Sequence, residues 1–225
     1  MEWPEVSNRG VSRRPAGSRV YSCGTAGERV FLSDPAAEGR LSTALVRTVK
    51  SLLRPYHDRF VILAIGTDRS TGDALGPLVG SALIGHCRQL GIPVFGTLEC
   101  PVHARNLEDI LRLVQQCGRH PLVLALDACL GKLENVGSVR LRAGPLHPGA
   151  GVNKQLPAVG DLHITATVNV GGFMEYFVLQ NTRLSLVMSL ADLISRAIRR
   201  ALRELTITAE GWPCSPPLSE RRGAD

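Results

Sequence analysis

A chain of 225 residues is long enough for one domain of ordinary size. Its net charge of +6 is modest and aromatic residues make up only 4% of it, which argues against the basic, aromatic-interleaved surface of a nucleic-acid-binding domain. No apolar run is long enough to span a bilayer, and the first residues lack the apolar segment of a signal peptide. We therefore expect a cytoplasmic protein with no membrane or nucleic-acid partner.

The two ends of the chain differ from its middle. Residues 1–28 are rich in Arg, Gly, Ser and Pro, and residues 206–225 contain three prolines; neither stretch shows hydrophobic periodicity. We predict a flexible N-terminal arm at 1–28, a single α/β domain at 29–205 and a flexible C-terminal tail at 206–225. The six cysteines are scattered without a Cys-x-x-Cys pair, so free thiols are expected.

In chain order, apolar runs alternate with stretches of helical periodicity. The pattern predicts strands at 30–32, 60–65, 92–98, 122–126, 136–141 and 161–170. It predicts helices at 34–55, from Pro77 onward, at 107–118, at 173–179 and at 184–205. Alternation of strand and helix indicates a parallel sheet with right-handed crossovers and helices on both faces.

The stretch from 60 to 80 organises the chain: a buried strand, a polar loop opened by Gly66, and a helix. In a parallel sheet such a loop leaves the carboxyl end of a strand, where open α/β proteins bind their ligands. A second long loop at 144–160 is rich in Gly and Pro, and loops of this length tend to be functional or mobile.

Acidic residues follow three of the predicted strands. Asp68 and Asp73 follow the first, Glu99 the second, and Asp127 comes directly after the third. Carboxyl groups at the rim of a sheet are partly removed from water, which raises their pKa, and two neighbouring carboxyls can share one proton. That arrangement suits acid/base activation of water. The competing interpretations are a helix cap for Asp68 or Asp73 and binding of backbone amides for Asp127.

Other polar residues have weaker signals. The Gly-containing loop lacks the endings of phosphate-binding motifs, so phosphate binding is disfavoured. Cys129, and Cys100 with His103, invite nucleophile or metal interpretations, although buried structural thiols are commoner. A structural role is also the commoner one for His163.

Five segments together resemble the YyaC-like family of sporulation proteins, relatives of the spore germination protease. They are GTDRSTGDALGPLVG, GTLECPVHARNL, LDACLG, GPLHPGAGVNKQLPAVGD and VNVGGFMEYFVLQNTRLSLV. The resemblance implies a three-layer α/β/α sandwich with a mostly parallel, phosphorylase/hydrolase-like sheet. It also implies a cytoplasmic protein of a spore-forming bacterium.

The resemblance further implies an atypical aspartic peptidase acting on a protein or peptide substrate without a cofactor. The family's Asp-Ala-Leu-Gly-Pro motif is matched from Asp73 to Pro77, and its second motif by Asp127-Ala128. These are the two acids that the strand ends also indicate. The predicted substrate-binding residues around this pair are Asp68, Arg69, Ser70, Glu99, His103 and Lys154. The 144–160 loop does not resemble germination protease, so neither its substrate nor its zymogen control is implied.

Three alternatives stay open. In the related hydrogenase-maturation peptidases the same positions bind metal, which would make Asp73, Asp127 and His163 ligands of a divalent ion such as zinc or nickel. The chain could instead be a non-catalytic sporulation factor that binds a peptide or protein in the same cleft. The amphipathic helix at 184–205 could also serve a homo-oligomer.

Overall fold

The computed structural model describes residues 27–149, 156–172 and 174–205. Its strands are β1 (Glu28–Phe31), β2 (Arg59–Ala64), β3 (Val94–Phe95), β4 (Pro121–Gly131), β5 (Ser138–Ala143) and β6 (Leu162–Val170). Its α-helices are α1 (Ala37–Leu52), α2 (Leu75–Gln89), α3 (Leu107–Gln116), α4 (Glu175–Gln180) and α5 (Leu184–Glu204). Short 3-10 helices lie at Gly72–Ala74 and Leu133–Asn135.

The strands form one mixed sheet in the order β1-β5-β6-β4-β2-β3. Strands β3, β2, β4 and β6 are parallel to one another. Strand β5 is antiparallel to β6, and β1 is antiparallel to β5 at the edge. The central strands β2 and β4 are almost continuously apolar over their paired lengths, as expected for strands covered on both faces.

One face of the sheet is covered by α1, α2 and α5, which pack against one another and enclose the larger hydrophobic core. Alternate residues of each strand point into it, for example Leu122, Leu124 and Leu126 of β4. The apolar stripe of α5 is explained by this packing: Leu190, Ile194 and Ile198 are each at most 1% exposed.

The other face has a smaller core under α3 and the segment that follows β5. Val61, Leu63 and Val123 of the sheet pack there with Leu107 and Val114 of α3. Leu146, Leu156 and Val159 join this core from the loop side. With helices on both faces of a mostly parallel sheet, the predicted three-layer α/β/α fold class is confirmed.

Several boundaries differ from the prediction. Strand β4 does not end before Asp127 but continues to Gly131, because β6 pairs with it along that whole length. Strand β3 keeps only two residues of the predicted 92–98 run, and α2 begins at Leu75 rather than at Pro77. Glu28 belongs to β1, so the part of the predicted arm that the structure describes, from residue 27, is joined to the sheet. Among the described helices none is long and apolar enough to cross a membrane.

Candidate functional site

Asp127 lies where β4 continues past the end of its neighbour. The pairing of β2 with β4 stops at Ala64 opposite Leu126, and the Ile65 amide donates to the Leu126 carbonyl at 2.8 Å. Asp127 is the next residue of β4 and lies opposite Thr165 of β6. Its half-buried side chain therefore sits at a notch in the sheet, flanked by a strand on one side only.

Asp73 is brought toward this notch by the loop that follows β2. The Gly66 amide donates to the Val102 carbonyl at 2.7 Å, and the Thr67 amide donates to the Asp73 carbonyl at 3.1 Å, which closes the loop. Gly66 has a φ of 150°, and a Cβ there would lie 2.0 Å from the Asp73 carbonyl oxygen. Only glycine fits this turn.

Asp73 does not cap a helix in the structure. It lies in the 3-10 helix Gly72–Ala74, directly before α2, and neither helix has a side-chain cap hydrogen bond. The 3-10 helix instead packs against β4 and α4. The capping interpretation is thus wrong for Asp73.

The electrostatics of the two carboxyls are coupled. Burial raises the pKa of Asp127 well above its usual value, and the charge of Asp73 raises it further, whereas a hydrogen bond from the Ala128 amide opposes the rise. Burial also raises the pKa of Asp73, and the Ser70 hydroxyl partly opposes that rise. One proton shared by the pair is the expected state.

Of the three predicted loop residues, Ser70 lies closest to the chemistry. Its side chain is 5% exposed, and its hydroxyl is near the Asp73 carboxyl but outside hydrogen-bond geometry with any described group. Asp68 and Arg69 are exposed on the outside of the loop. The structure therefore places Ser70 beside Asp73, whereas Asp68 and Arg69 are exposed and contact the Thr67 hydroxyl.

His103 and Glu99 lie in the segment after β3. Val102 forms an isolated bridge with Ile65, which holds His103 next to the carboxyl end of β2. The His103 Nδ1 atom is buried without a hydrogen-bond partner among the described residues. Glu99 is exposed. Lys154 lies outside the described residues.

His163 lies two residues before Thr165 in β6, and it is therefore opposite Ala125 rather than Asp127. Its Nδ1 is 2.9 Å from the Gly144 carbonyl oxygen, and burial together with Arg142, Arg140 and His147 lowers its pKa. Within residues 27–149, 156–172 and 174–205, no three His, Cys, Asp or Glu side chains are placed to hold a metal ion. The predicted Asp73, Asp127 and His163 set does not fit a metal in this arrangement.

The same sheet face carries further polar residues: Cys129, already a weak candidate from the sequence, and Arg140, which was not among the candidates. Cys129 lies two residues beyond Asp127, with its Sγ 3.5 Å from the Thr167 hydroxyl, and Arg140 of β5 lies opposite Thr165. The signal was present as the period-two alternation of Arg140 and Arg142 with Val139 and Leu141. This alternation indicates a strand with one apolar and one polar face. It does not indicate which residues lie next to the polar face.

Three comparisons place the chain among known proteins. A family model described as "Protein of unknown function (DUF1256)" matches residues 29–197. The uncharacterized protein YyaC of Bacillus subtilis (strain 168) is 49% identical over 169 residues, covering 74% of this chain and 79% of that protein. Among solved structures, the [NiFe] hydrogenase maturation protease HycI of Thermococcus kodakarensis KOD1 matches at 18% identity and a TM-score of 0.47. That match covers 71% of this chain and 98% of the other.

Proposed function

The chain belongs to the DUF1256 family, which confirms the predicted YyaC-like membership, and we propose that it hydrolyses peptide bonds with the Asp73–Asp127 pair. The observation that carries the proposal is the placement of two partly buried carboxyls from different elements at one notch in the sheet, where the charge of Asp73 raises the pKa of Asp127. Two ionised carboxyls at this site would destabilise the fold by their mutual repulsion if they had only a structural role. No ion pair in the described part of the chain compensates for that repulsion.

The two carboxyls have different roles in this mechanism. In the proposed mechanism Asp127, whose pKa burial and Asp73 raise, holds the shared proton and donates it to the carbonyl oxygen of the scissile bond or to the leaving nitrogen. Asp73 is the ionised partner and accepts a proton from the attacking water. After hydrolysis the proton taken up by Asp73 equals the proton given by Asp127, so the pair returns to its starting charge.

The remaining residues position the substrate. The Ser70 hydroxyl has no partner in the described structure and lies beside Asp73, so it is available to orient the water or the peptide. Asp68, Arg69, Glu99, His103 and Lys154 are proposed to bind substrate around the pair. For His103, the buried Nδ1 atom without a partner supports this role.

The cellular setting is part of the proposal and rests on the family resemblance alone. We infer a cytoplasmic peptidase that acts on a protein or peptide during sporulation, without a required cofactor. The non-catalytic binding factor is the principal competitor, because a carboxyl pair shows capability and not turnover.

The test is hydrolysis of a fluorescence-quenched peptide library by the full chain and by matched Asp→Asn variants. Asp73→Asn and Asp127→Asn should each lower the rate by about 10²-fold or more, as expected for loss of a general acid or base. Asp192→Asn is the control, because Asp192 lies exposed on α5, paired with Arg196 on the opposite face of the sheet. Full activity in Asp127→Asn would overturn the assignment. No hydrolysis by the native chain, together with unchanged sporulation when both aspartates are replaced, would favour the binding factor.

A further inference from the structure

A row of cationic side chains crosses the sheet on the same face as Asp127. Thr165 of β6 lies opposite Asp127, Arg140 of β5 lies opposite Thr165, and Arg29 of β1 lies opposite Arg140. Side chains at paired positions of neighbouring strands point to the same face. Arg142 lies two residues from Arg140 and therefore on that face as well. We call Arg29, Arg140 and Arg142 the cationic strip.

The charges of the strip are not neutralised within the described part of the chain. None of its three arginines forms an ion pair there, in contrast to Arg40, Arg112 and Arg196. Arg29 donates to the neutral Asn135 side chain, and the Arg140 Nε atom is buried without a hydrogen-bond partner among the described residues.

The strip is under mutual repulsion. Burial, Arg142 and Arg29 all lower the pKa of Arg140, and Arg142 and Arg140 contribute to lowering the pKa of His163. Arg142 is exposed, whereas Arg29 and Arg140 are half-buried, so an incoming anion would meet donors at two depths. Unpaired, partly desolvated guanidinium groups bind carboxylates strongly, through paired hydrogen bonds.

The distance between the cationic strip and Asp127 indicates which anion the strip binds. Asp127 and Arg140 are separated by two strand spacings, or about 10 Å, which an extended peptide covers in about three residues. We propose that the cationic strip binds a carboxylate of the substrate peptide about three residues from the bond that is cut. This inference rests on the proposed peptidase function and names its substrate class: peptides with an acidic side chain or a free C-terminus at that distance.

The test measures binding, so that it does not depend on turnover. Three fluorescein-labelled peptide pools of equal length are compared by fluorescence anisotropy at low salt with the full chain carrying Asp127→Asn. One pool has an internal Glu and an amidated C-terminus, the second has Gln and a free C-terminus, and the third has Gln and an amidated C-terminus. The first or second pool should bind about tenfold more tightly than the third. The pool that does so identifies a side-chain or a C-terminal carboxylate.

The preference should disappear in Arg140→Gln/Arg142→Gln. The matched control is Arg47→Gln/Arg88→Gln, which removes two exposed charges from α1 and α2 on the other side of the sheet and should leave the preference intact. Equal binding of all three pools would overturn the proposal. So would a preference lost equally in both double variants, or binding of a short RNA or inorganic phosphate at the strip without binding of the acidic pools.

The two proposals fail separately. If the native chain hydrolyses peptides without an acidic preference, the strip proposal fails and the peptidase proposal stands. If the acidic pools bind through Arg140 and Arg142 but nothing is hydrolysed, the carboxylate site stands as the site of a binding protein.

Discussion

The two faces of the sheet are built from the same strands but differ in what covers them. On the face of α1, α2 and α5, buried apolar side chains come from β1, β2, β4, β5 and β6, and β3 adds the partly buried Val94. On the other face, α3 covers β2 and part of β4, while the portion formed by β5 and β6 carries Arg140, Arg142, His163 and Thr165. Asp127 lies at the border between the apolar and polar portions. Buried apolar packing is therefore concentrated on the fully covered face, and the candidate site lies on the face that the helices leave partly open.

The largest stability difference should separate these faces. Leu124 is 0% exposed in the larger core, and Leu124→Ala should lower the free energy of unfolding by about 2–5 kcal/mol through lost burial and a cavity. Thr165→Ala on the polar portion should cost about 1 kcal/mol or less. Denaturant unfolding of the two variants measures both values. Equal losses would show that the polar portion is as tightly packed as the core.

A glycine contact should show how closely α2 must approach the sheet on the covered face. A Cβ at Gly76 would lie 2.0 Å from the Ile65 carbonyl oxygen, so Gly76→Ala should cost about 1–3 kcal/mol from overpacking. Gly85→Ala, in the same helix with nothing within 4 Å of the added Cβ, should instead stabilise by up to about 1 kcal/mol. Thermal unfolding distinguishes the two, and a stabilised Gly76→Ala would contradict the close packing.

The border position of Asp127 predicts a specific pH dependence of stability. Because its pKa is raised in the folded state, the folded protein binds more protons than the unfolded chain between the ordinary Asp pKa, about 3.9, and the raised value. The contribution of Asp127 to the free energy of unfolding is therefore complete at low pH and is lost as the pH rises through that window. Unfolding measured across the window should show a smaller decline in Asp127→Asn than in the native chain. Parallel curves would mean that Asp127 is not desolvated.

The smallest expected effect concerns metal. Because the described His, Cys, Asp and Glu side chains do not form a set that holds an ion, chelator should leave peptide hydrolysis unchanged. Rate measurements before and after chelation, with zinc and nickel added back separately, provide the check. Loss of activity that either ion restores would establish the metal-dependent alternative, with His163→Ala as the variant to examine next.

The sequence by itself determined most of the architecture. Apolar runs and helical periodicity predicted the strands and helices in order, because buried strands and amphipathic helices impose periods on the chain that need no tertiary information. Asp73 and Asp127 were selected for the same reason, since acids after buried strands stand out against apolar neighbours. The family resemblance pointed to these two residues independently.

Only the tertiary structure decided what those residues meet. The end of β4 was misplaced because pairing with β6, which is distant in sequence, extends the strand past Asp127 and turns a predicted strand end into a notch. The positions of His163 opposite Ala125, and of Arg140 two strands from Asp127, follow from the register between strands. Register depends on pairing across the sheet and is not written in the local pattern of any one strand.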